Sequence, residues 1–116
     1  VNNAVYLELF EEARWDLTTT RGFGYEKIHE LKQGPTILEL NLRFRKELLL
    51  RQKVRIESRT TAYNGKIGVL TQEIKNEAGE VCCVGVFKFA LFDMKERRLL
   101  VPTPEWLNAL GWVKEK

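Results

Sequence analysis

Asn2 and Asn3 stand directly ahead of a helix-forming stretch, and Glu11 lies on that stretch eight residues beyond Asn3. A helix start carries unpaired N–H groups and the positive end of the helix dipole, so it stabilises an oxygen that acquires negative charge. The two asparagines also fit as ordinary helix caps, and residue chemistry alone prefers that role. Glu11 offers a carboxylate for general-base work or for attack on a carbonyl. It fits equally well as a solvated side chain or one engaged near Arg14 and Trp15. At about 1.5 Å of rise per residue, Asn3 and Glu11 are roughly 12 Å apart along one helix. One chain therefore cannot bring both to a single reacting atom; two antiparallel helices of a dimer can.

Asn64-Gly65-Lys66 forms a second candidate, at the tip of an expected hairpin. Backbone N–H groups and a lysine point charge suit an anion there, although an exposed lysine beside a turn is ordinary. Arg43 with Arg45, and Arg55 with Arg59, each share a strand face, so strand pairing would gather them into a basic patch, and most such patches are simply solvated. Lys95, Arg97 and Arg98 make a further basic cluster. His29 has no spaced Cys, Asp or Glu partners and reads as a surface or hydrogen-bonded histidine. Cys82 and Cys83 are adjacent and would point to opposite faces of a strand, so they form neither a staple nor a metal-ligand set. No Ser-His-Asp pattern, P-loop, Rossmann fingerprint or zinc spacing occurs, and no metal or nucleotide cofactor is expected.

These residues need elements to position them. From Asn3 to Thr20, Tyr6, Leu9, Phe10, Ala13 and Leu17 recur at helical spacing between charged residues, which predicts an amphipathic helix ended near Gly22 and Gly24. Tyr25 to Gly34 is polar and mixed. Thr36 to Lys46 then alternates, with Leu38, Leu40, Leu42 and Phe44 on one face, as in a half-buried strand. A second strand runs through Val54, Ile56 and Ala62 to Asn64-Gly65, a strong hairpin signal. A third spans Lys66 to Lys75, and a turn at Asn76 to Gly79 leads into a fourth from Val81 to Phe92. That last strand is apolar on both faces and belongs in the middle of a sheet. Thr103 caps a short helix from Pro104 to Leu110, stopped by Gly111. The long helix has only the sheet to bury its stripe against, which makes the class α+β. Trp15, Trp106 and Trp112 read as packing groups, and Tyr63 as a strand-end aromatic able to border a ligand.

Composition bounds the rest. A chain of 116 residues with 44% apolar content is one domain, residues 1–116, able to build a core without disulfides or metals. Its formal charge of +3, from 19 basic and 16 acidic residues, is too small and too evenly spread to argue for nucleic acid. No apolar run approaches the roughly 20 residues that span a bilayer, so no membrane partner is expected. The cysteine usage favours a reducing, cytoplasmic setting. The chain starts at Val1 and its only methionine is Met94, so the natural protein is expected to begin earlier and to exceed 13.6 kDa.

Val1-Asn2-Asn3-Ala4-Val5-Tyr6, followed by Phe10-Glu11-Glu12-Ala13-Arg14, resembles the helix-opening motif of hotdog-fold acyl-CoA thioesterases of the 4-hydroxybenzoyl-CoA thioesterase type. That family's pattern is Asp-x-x-Gly-His-Val-Asn-Asn-x-x-Tyr, then Phe-Glu-x-Ala-Arg. Val101-Pro102-Thr103-Pro104-Glu105 is similar to its later Pro-x-Pro-Glu-like stretch. The resemblance covers nearly the whole chain. It implies a hotdog fold, an antiparallel sheet wrapped around one helix whose first strand precedes Val1, with two subunits joined edge to edge. It also implies an acyl-CoA site at their interface, the Asn3 amide as oxyanion donor, Glu11 or an aspartate upstream of Val1 as the carboxylate, and Asn64, Gly65 and Lys66 at the coenzyme A arm. The chain would hydrolyse acyl-CoA as a dimer or a tetramer of dimers, with coenzyme A as part of the substrate. Three rivals remain: a non-catalytic acyl-CoA or acyl-carrier binding module, a nucleic-acid-binding β-domain, which lacks a clear aromatic platform, and a dehydratase, whose Asp and His pair has no match.

Overall fold

The computed structural model describes residues 3–47 and 53–112. Helix α1 spans Asn3–Thr19 and α2 Tyr25–Leu31. The strands are β1 Gln33–Phe44, β2 Arg55–Asn64, β3 Ile67–Lys75, β4 Val81–Asp93 and β5 Arg98–Leu100, and α3 closes the series at Pro104–Ala109. All pairings are antiparallel, in the order β1-β4-β3-β2, with β5 against the end of β4. The strand that is apolar on both faces, β4, is central, as its composition requires. The result is an α+β layer pair of the hotdog kind, one long helix lying on one face of an antiparallel sheet. Among the described residues no helix is long and apolar enough to cross a membrane.

The row of α1 that meets the sheet is spaced by four: Tyr6 and Phe10 are buried, Arg14 lies over the Phe87 ring, and Thr18 is buried. Leu9, Ala13 and Leu17, expected in the same stripe, are only partly covered. Below this row β3 turns Gly68, Leu70, Gln72 and Ile74 inward, opposite Phe89, Phe87, Gly85 and Cys83 of β4. Gly85 lets the helix come close, since a Cβ there would fall 2.6 Å from Phe87 Cε2 and 3.2 Å from Phe10 Cε2.

Five expectations are corrected. Tyr25 to Gly34 contains α2: Ile28 alone is buried, and one anchor in seven residues leaves no periodic signal to read. The three-residue β5 was too short to register. In β1 the register shifts between Ile37 and Glu39, so Leu38 leaves the alternation and Ile37, Leu40, Leu42 and Phe44 share the helix-side face. A shift in β4 likewise sets Ile74 opposite Cys83 and Lys75 opposite Val81; this extra residue accompanies full burial of both cysteines. Finally, β1 and β2 lie at opposite edges of the described sheet, so Arg43 and Arg45 do not join Arg55 and Arg59.

The hairpin between β2 and β3 is also one residue along from its expected place. Asn64 pairs with Ile67, leaving Gly65 and Lys66 as the loop, with positive φ at Gly65, the pattern of a Gly-X turn. The terminal helix forms as read, with the Thr103 hydroxyl accepting from the Trp106 amide at 3.1 Å.

Candidate active site

A cavity of about 180 Å³ lies between the second half of α1, the start of β1, the middle of β3 and β4, and α3. Leu70, Phe89, Trp106 and Leu110 form its apolar floor, with Pro35 and Ile37 on the β1 side. Glu11, Arg14, Trp15 and Thr18 line it from α1. Glu11 is exposed and Thr18 is buried, so the carboxylate stands at the mouth and the helix runs inward from it. An apolar slot with a few polar groups at one end is the usual form of a small-molecule site.

Arg14 is the residue the sequence reading missed. Its guanidinium sits 4.4 Å from the Phe87 ring centroid and donates to Gln72 Oε1 at 3.1 Å. Gln72 is fully buried and donates in turn to the Phe10 carbonyl at 3.0 Å and the Ser58 hydroxyl at 2.9 Å. Burial lowers the pKa of Arg14, and the nearby Glu11 carboxylate opposes that shift. Arginine stays charged at neutral pH all the same, and no carboxylate among the described residues lies within ion-pair distance of it. The available signal was the spacing of four from Tyr6 through Phe10 to Arg14, together with a glutamine at an inward β3 position.

The expected site residues are not gathered within one chain. Asn3 opens α1, while Asn2 and the Asn3 side chain lie outside the described residues. Tyr6, one turn on, packs edge-on against Phe44 with centroids 5.0 Å apart, so the helix starts at the Phe44 end of the sheet. Asn64, Gly65 and Lys66 are exposed at the other end, beside the row Tyr63, Gly68, Phe89 and Ile37. Phe44 pairs with Cys83 and Ile37 with Phe89, six residues apart on β4, or about 20 Å.

The side chains of β1 give the geometry its direction. Ile37, Leu38, Leu40 and Phe44 are 39 to 49% exposed on an edge strand, an arrangement that invites pairing with another strand. Cys83 is no candidate nucleophile, because burial pushes its thiol up to about 11, with Cys82 adding to the shift. His29 is exposed, and no group of three potential metal ligands occurs among the described residues.

A family model described as the thioesterase-like superfamily matches residues 1–110. The long-chain acyl-CoA thioesterase FadM of Escherichia coli (strain K12) is 34% identical over 102 residues, 86% of this chain and 76% of that protein. The crystal structure of YbaW, a probable thioesterase from Escherichia coli, superposes with a TM-score of 0.83 at 31% identity, over 95% of this chain and 83% of that one. A hypothetical protein from Staphylococcus aureus, SAV2348, in complex with CoA, reaches a TM-score of 0.87 at 15% identity, over 96% and 70% of the two chains, a likeness of fold.

Proposed function

The chain belongs to the thioesterase-like superfamily, and from that premise we propose that it hydrolyses acyl-CoA thioesters at a site shared by two copies joined along β1. The observation that carries the two-copy site is the edge strand with its exposed apolar side chains. A two-fold axis through the middle of β1 reverses the strand, setting the Phe44 end of one copy beside the Ile37 end of the other. The helix start of one copy then faces the cavity mouth and Glu11 of the second, which relieves the roughly 12 Å separation along one helix. The same operation moves the second copy's Asn64, Gly65 and Lys66 toward that helix start, where a coenzyme A arm would pass.

In this site the acyl group enters the cavity and the thioester carbonyl stays at its mouth. Glu11 takes a proton from water, the hydroxide adds to the carbonyl carbon, and the oxygen that gains charge meets the Asn3 amide at the positive end of α1. Collapse breaks the C–S bond, and the departing sulfur recovers the proton, giving free acid and coenzyme A. The chain itself supplies the carboxylate, donor and slot for this reaction. The class of substrate comes from the relative, and the size of the acyl group is set by this chain's own cavity.

The reading is tested by following thiol release from a panel of acyl-CoAs, together with sedimentation at micromolar concentration. Turnover by a species of two or four copies is expected. Tight acyl-CoA binding without thiol release would replace the hydrolase with a binding module, and a turning-over monomer would remove the shared site.

A further inference from the structure

We propose that the slot takes a short acyl group, about six carbons long, that carries an acceptor oxygen at its far end. The proposal rests on the thioesterase reading and adds the substrate class to it.

Size comes first. A dry cavity of about 150 Å³ holds one benzene molecule, so the 180 Å³ found here encloses a group of that order. The far end is closed by Trp106 and Leu110, both buried, with α3 behind them. A long chain would have to leave the slot or displace α3.

Polarity at the closed end comes second. Trp106 is 1% exposed and lines the cavity, yet its indole Nε1–H has no hydrogen-bond partner. The Tyr63 hydroxyl beside it is also buried and without a partner. Both rings pack edge-on against the cavity residue Phe89, at centroid distances of 5.7 Å for Tyr63 and 6.2 Å for Trp106. Buried donors are normally satisfied, and a pair left open at the end of an otherwise apolar slot is an exception that needs an occupant. The two cannot satisfy one another fully. Were the indole to donate to the phenol oxygen, the phenol proton would still lack an acceptor. One ligand oxygen placed between them accepts from the indole and engages the phenol, and the apolar walls of Leu70 and Phe89 hold the methylenes that lead to it.

A buried water is the competing occupant, and substrate discrimination separates it from a ligand oxygen. The full chain is assayed by thiol release with hexanoyl-CoA, 6-hydroxyhexanoyl-CoA and tetradecanoyl-CoA. The hydroxylated substrate is expected to exceed hexanoyl-CoA in kcat/KM by about fivefold, the worth of one ordinary hydrogen bond, and tetradecanoyl-CoA to fall below both. Trp106→Phe and Tyr63→Phe should each move the hydroxyhexanoyl to hexanoyl ratio toward one, whereas a merely structural effect would lower both substrates together. A wild-type ratio of one or less, a ratio unchanged in both variants, or tetradecanoyl-CoA as the best substrate overturns the proposal alone. Absence of thiol release from all three removes the thioesterase reading and the proposal with it.

Discussion

Replacing Gln72 with leucine tests whether one buried amide clamps the site helix to the sheet. The substitution keeps the volume nearly constant and removes three hydrogen bonds, to Arg14 at 3.1 Å, to the Phe10 carbonyl at 3.0 Å and to Ser58 at 2.9 Å. A hydrogen bond to a charged group contributes about 1.5–3 kcal/mol and a neutral one about 0.5–1.5 kcal/mol. The neutral pair counts at the low end, because Phe10 keeps its helical bond and Ser58 is only half-buried. Burying leucine in place of the amide returns about 1 kcal/mol. The net loss is then about 2–3 kcal/mol, or roughly 10 °C in Tm for a domain of this size. Most of it belongs to Arg14, left half-buried with its ring contact alone. Adding Arg14→Met to Gln72→Leu should therefore cost less than Arg14→Met in the natural chain, with a coupling of about 1 kcal/mol or more. Denaturant unfolding of the four proteins at one concentration gives the cycle. Additivity within about 0.5 kcal/mol would refute the clamp.

Other outcomes follow from the same geometry. Leu40→Asp on the exposed edge of β1 should give a monomer by sedimentation and abolish turnover; a dimer that persists would place the interface elsewhere. Both cysteines are buried and Cys83 is pushed up to about 11, so a thiol reagent at pH 8 should label the native chain slowly and the unfolded chain at once. Fast native labelling would contradict the burial. Glu57 is held below its ordinary value of 4.5 chiefly by its hydrogen bond to Lys75, and Glu80 likewise by Lys46. A carboxylate lowered in the folded state adds stability above its unfolded pKa and loses it as pH falls through the folded one. Stability should thus drop as pH falls from about 4.5, less steeply in Glu57→Gln, and the effect should shrink in high salt because these groups are exposed. An identical acid limb in Glu57→Gln would exclude that pair.

What the sequence made legible follows from how local each signal is. The long helix, the alternating strands, the Thr103 cap and the central place of β4 rest on periods and caps confined to a few residues, and each formed where it was read. The register shifts at Leu38 and Cys82 depend on how two strands pair, which no single run of residues encodes. The same is true of α2, which is held through Ile28 by tertiary contact. For the site, Glu11 was found from its residue type and spacing, while Arg14 was hidden among surface charges because its partners Gln72 and Phe87 are 58 and 73 residues away. The slot's closed end was invisible for a related reason: Trp106 and Tyr63 look like packing aromatics until their polar atoms are seen without partners.

The most direct measurement is kcat for thiol release by Glu11→Gln against the natural chain on one acyl-CoA. Glu11 is exposed, so the variant should fold and unfold as the natural chain does while kcat falls by about 10²–10⁴-fold, the range for a lost general base. A variant that turns over within about twofold of the natural chain would show that another group activates the water, and the two-copy site built around this carboxylate would fail.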